Sequence, residues 1–139
     1  MTNISNWFFR LAILYLLAGI TLGLVMAGSH TYTMAPAHAH LNLLGWVTMS
    51  IFAAFYRLWP AAAASKLAKV HFWLYVPAHF VQMVTLFMLV RGNAAIEPVL
   101  AIASFAVAAG IIVFAVNLWR HTGSAASTAT PAMGAASAG

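Results

Sequence analysis

The sequence predicts an all-α membrane protein with four transmembrane helices. Three observations carry that expectation. Of its 139 residues, 64% are hydrophobic and only 5% are charged, against about 25% charged in ordinary soluble domains. The apolar residues gather in four runs, each close to the ~20 residues needed to cross a bilayer core. The cations collect at one set of run ends. In lipid the backbone must satisfy its own hydrogen bonds, so runs of this kind are helices. The single acidic residue, Glu97, and six scattered cations fit membrane-flanking anchors. They do not form the one-face basic cluster of a nucleic-acid binder. Cysteine is absent, which excludes disulfides and thiolate metal sites.

The first run covers Trp7 to Ala27. It ends in small residues, Met26-Ala27-Gly28-Ser29, as a signal-peptide cleavage site would. The run is longer than a signal peptide's apolar stretch of ~7–15 residues, so it reads as a span. The second run, His38 to Trp59, starts near Pro36, whose missing N–H is harmless in a first helical turn. The third is Lys69 to Val90, with Pro77 inside it, and the fourth is Glu97 to Trp119. Trp7, Trp59, Trp73 and Trp119 lie near the ends, as an aromatic belt requires.

Arg10, Arg57, Lys66, Lys69 and Arg120 flank one side of the spans and only Arg91 the other. The positive-inside rule then predicts both termini in the cytoplasm (N-in/C-in), with Gly28–Pro36 and Arg91–Glu97 facing outward. Residues 1–121 form the expected four-helix domain. The tail 122–139 is Ala, Ser, Thr and Gly with one Pro; it lacks the apolar residues to bury a core and is expected to be disordered.

Six histidines remain: His30, His38, His40, His71, His79 and His121. His30 and His121 read as polar loop and helix-end residues. His71, beside Lys69 near the inner end of its helix, reads as an interfacial residue. His79 lies near mid-membrane after Pro77, where a freed carbonyl or Gln82 would satisfy it; a ligand role for it also stays open. His38 and His40 stand in the first turns of the second helix, in the stretch PAHAHLNLLGW. At ~100° per residue, two positions two apart diverge by ~200°. They cannot chelate one ion from one helix and instead serve two flanks. Ionisable groups inside a span are functional candidates, and Asn42 and Trp46 on the same helix complete the set.

At these residues the chain resembles a known family. Ala37-His38-Ala39-His40-Leu41 is similar to the His-x-His element on the tenth helix of the catalytic subunit of heme–copper oxidases. His40-Leu41-Asn42-Leu43-Leu44 resembles the second helix of the nitric oxide reductases of that family. Lys66-Leu67-Ala68-Lys69 with His71-Phe72-Trp73-Leu74 resembles the start of the next helix there. The resemblance covers about Tyr15 to Val90 and is sharpest over His38–Trp59. The family subunit arranges twelve helices as three four-helix arcs, and this chain is one arc's length. The resemblance implies heme b held by His38 and His40, with His79 the weaker candidate for a metal ligand, and Arg91 in the place of the family's propionate-binding arginines. The family's adjacent copper-binding histidines have no counterpart here, so full oxygen or nitric oxide reduction is not implied.

One arc has two flanks, and a homotrimer would rebuild the twelve-helix ring with closed C3 symmetry. His38 of one protomer would then face His40 of the next across a heme. These expectations add up to a cytochrome b-like electron-transfer protein of a bacterial inner membrane, with no redox partner named. Two other readings stay open: a heme enzyme with an open site for O2 or NO, and a non-redox accessory subunit or a heme or metal carrier.

Overall fold

The computed structural model describes residues 4–123. Each predicted run is one long helix: α1 Ile4–Ser29, α2 Ala35–Leu58, α3 Lys66–Val90 and α4 Glu97–Thr122. At 1.5 Å per residue they reach beyond the ~30 Å hydrocarbon thickness of a bilayer. All four are long and apolar enough to cross a membrane, compatible with an integral membrane protein. Thr122 closes α4; the rest of the expected tail, from residue 124, lies outside the described residues.

The helix ends follow local chemistry. His30, with φ 53°, ends α1 in the left-handed conformation that often closes a helix. Pro36 opens α2. Trp59 leaves the helical region at φ −119°, ψ 79°, as a residue before proline is pushed to do, and Pro60–Ala64 adds one short helical turn. Ser65 caps α3, its hydroxyl accepting from the Ala68 N–H at 3.1 Å. Gly92 turns the chain after α3 at φ 97°, a conformation that glycine adopts without steric penalty. Glu97 and Pro98 begin α4, the carboxylate complementing the helix dipole.

Successive helices run antiparallel, so the bundle has a basic end, with Arg57 and Lys69, and a histidine end, with His38, His40 and Arg91. The basic half is packed with rings. Phe8, Phe52, Phe55, Tyr56, Tyr75 and Phe114 are buried together, with Phe52 and Phe114 centroids 4.4 Å apart. The histidine half holds a smaller cluster, in which Ala37 and Leu41 of α2 meet Met83 and Leu86 of α3. Large apolar side chains such as Leu14, Leu24, Ile102 and Phe105 stay exposed on the outside of the bundle, the surface that lipid would cover.

From Leu41 to Thr48 the second helix is π-helical. The Thr48 hydroxyl reaches back to Leu43 O at 2.7 Å, and the Tyr75 hydroxyl donates to Leu44 O at 3.0 Å. Side chains thus bond carbonyls in the widened turns, whose ladder is poorer than an α-helix's. Such segments concentrate at functional sites, and this one begins immediately after His40.

Candidate functional site

Polar side chains stand at three levels along the bundle, half-buried at the histidine end and fully buried at the other two. At the histidine end, the His38 Nδ1–H donates to Gly19 O of α1 at 3.0 Å. A carbonyl only accepts, so the proton sits on Nδ1 and Nε2 keeps its lone pair. Gly19 and Gly23 make the approach possible. A Cβ on Gly23 would lie 2.9 Å from His38 Cε1, and one on Gly19 would strike the Asn42 amide. Asn42 in turn donates from Nδ2 to His38 O at 2.8 Å. The sequence-predicted Asn42 therefore works as a brace between α1 and the His38 turn.

His40 is half-buried. Its Nδ1–H donates to Pro36 O at 2.8 Å, so its Nε2 keeps its lone pair. The His38 ring leans on α1, whereas the His40 ring bonds back onto its own helix. Tying one ring nitrogen to a carbonyl fixes the tautomer and orients the other nitrogen, the usual support of a metal-binding histidine.

Next to His40 is a shallow apolar groove of about 320 Å³. Leu41, Met83, Val84, Phe87 and Met88 line it, and Arg91 stands on its rim. The predicted Arg91 is therefore in this lining, whereas His40 is not; its chain neighbour Leu41 is. Trp46 is not part of that lining; it lies in the π-helical stretch and is 37% exposed.

Halfway along, His79 is fully buried. Its Nδ1–H donates to Gln82 Oε1 at 3.0 Å, and Gln82 Nε2 donates to the Ser104 hydroxyl of α4 at 3.0 Å. The expectation of a bond to Gln82 therefore agrees with the structure. Tyr15 and Tyr75 flank the ring at centroid distances of 4.8 and 5.9 Å, and Gly45 makes room for Tyr15. The His79 Nε2 is buried with no hydrogen-bond partner.

His71 is also fully buried, although its place beside Lys69 suggested an interfacial residue. The difference arises because α3 begins three residues earlier, at Lys66, and because Tyr56 supplies a partner 2.9 Å from Nδ1. Asn117 donates to the same tyrosine oxygen at 3.4 Å and to Ala62 O at 3.2 Å. With its oxygen accepting there, Tyr56 directs its own proton to His71. The His71 Nε2 then carries a proton inside a cage of Phe8, Phe52 and Phe114 rings. That tautomer offers no lone pair to a metal, and His71 is structural. Asn117 and Gln82, polar residues within apolar runs, were the sequence signal for these two levels.

Among the described residues, no three His, Asp or Glu side chains group as a metal site. No family model, curated protein or solved structure matches the chain.

Proposed function

We propose that the chain is a membrane protein that binds heme b and transfers electrons, working as a homotrimer with both termini in the cytoplasm of a bacterial inner membrane. One observation carries the reading. Two imidazoles in adjoining turns of α2 each commit Nδ1 to a backbone carbonyl, which leaves Nε2 unprotonated in both, that of His38 with the Asn42 amide 3.5 Å away. The residues suit the group. The groove beside His40 is flat and apolar, with a cation at its rim for an anionic propionate. At about 320 Å³ it lies at the low end of ligand sites, which run from ~300 to 1,000 Å³. It therefore makes one wall, and a neighbour's α1–α2 flank, with His38, supplies the other. Bound between two imidazoles, heme iron would carry one electron and keep no open position for a substrate. The protein's part is to fix both tautomers, exclude water and neutralise a propionate.

The test is the absorption spectrum of the purified protein, oxidised and dithionite-reduced. The reading expects a reduced α band near about 560 nm, typical of bis-imidazole b heme, unshifted by carbon monoxide and lost in His38→Ala and in His40→Ala. A colourless protein after heme supplementation would overturn it. A band shifted by carbon monoxide would favour the enzyme with an open site.

A second reading rests on the unpartnered Nε2 of His79. Its Nδ1 is held by the Gln82 side-chain oxygen, and it lies on α3, the helix that also lines the groove beside Leu41. Heme bound by His40 and His79 would sit inside one protomer. In that case His79→Ala removes the pigment and His38→Ala spares it.

A further inference from the structure

A groove of about 980 Å³ lies between α1 and α3 at the opposite end from these histidines, floored by Tyr56. Ile4, Trp7 and Leu11 of α1 face Phe72, Trp73 and Val76 of α3 across it, and Pro60, Ala63 and Ala64 close its basic end. Arg57 and Lys69 stand among the lining, both exposed. Arg10 lies over the ring of the lining residue Trp7 at 5.5 Å. The occupant must therefore have an apolar body and an anionic head.

No acidic side chain of the protein supplies that anion. Glu97, the chain's only acidic side chain, begins α4 at the histidine end, a full helix length away. A second copy lying parallel in the same membrane carries its Glu97 at that same far end, so it cannot pair with these cations either. The Tyr56 hydroxyl on the floor is already engaged by His71 and Asn117, which leaves the deep part of the groove apolar in character.

We propose that this groove binds an anionic phospholipid, its acyl chains lying between α1 and α3 and its phosphate held by Arg57 and Lys69. Basic pockets between spanning helices recognise such headgroups, each Lys or Arg near the membrane surface adding attraction. The site is independent of heme.

The test uses the full chain, delipidated in detergent and titrated with phosphatidylglycerol or phosphatidylcholine of identical acyl chains. Bound lipid is read by native mass spectrometry and the thermal midpoint by circular dichroism. Phosphatidylglycerol should be retained over phosphatidylcholine and should raise the midpoint. The double variant Arg57→Gln/Lys69→Gln should bind it roughly thirtyfold more weakly. Ala64→Phe, which sets a ring at the groove's basic end and leaves both charges in place, should weaken binding too, with helicity unchanged in both variants. Equal retention of the two lipids, or unchanged binding in either variant, overturns the proposal. So does a neutral quinone, a porphyrin or a second copy occupying the groove of the protein as extracted.

Discussion

His38 packs against Gly23 across α1 and α2, and that contact decides where the ring nitrogens of His38 point. Gly19 and Gly23 are visible in the sequence as a GxxxG, a pattern that permits close helix approach. The pattern does not name its partner. The structure supplies it, since the two glycines seat Asn42 and His38. Gly23→Val would place branched carbons where the His38 ring lies. The ring must then rotate away from Gly19 O and lose the bond that fixes its tautomer. We expect Gly23→Val to insert and fold, with helicity unchanged, yet to retain less than half the wild-type pigment by pyridine hemochrome assay. Wild-type pigment content in that variant would mean that the seat does not orient a ligand. The same scale explains why His71 was misread. Its neighbours in sequence are cationic, but its neighbours in space are Tyr56 and a cage of phenyl rings, and only tertiary packing brings those together.

The four helices themselves were legible, because apolar length is read directly from composition. Their ends moved by only a few residues, since Pro36, Ser65, Gly92 and Pro98 punctuate them chemically. The π-helical turns of α2 were not legible. A π segment has no hydrophobic period of its own, and here it depends on bonds from other residues, above all the Tyr75 hydroxyl to Leu44 O at 3.0 Å. Tyr75→Phe removes that donor and leaves a carbonyl short of a partner in an apolar surrounding. The expected loss is about 1–3 kcal/mol, measured by reversible denaturation in mixed micelles, with the pigment retained. No loss would show that the widened turns hold without α3.

At the scale of the whole molecule, the histidine end offers only half an enclosure in one chain. The groove lined by Leu41 and Arg91 is open, and the His38 ring is held against α1 by Gly19 and Gly23. A closed ring of three copies would join each such half to its complement, with three equivalent sites. The sequence suggests this from two histidines two residues apart, and in the proposed trimer the completing wall would come from another copy.

Co-expression of His38→Ala and His40→Ala chains tests the shared site most directly. Each variant alone lacks one ligand at every interface and should purify colourless. In randomly mixed trimers, an intact His38 meets an intact His40 at about a quarter of the interfaces. The account predicts that b-type pigment returns to about that fraction of the wild-type content in the mixed assemblies. A mixture as colourless as its parents, or a His38→Ala chain that is fully pigmented by itself, would contradict it.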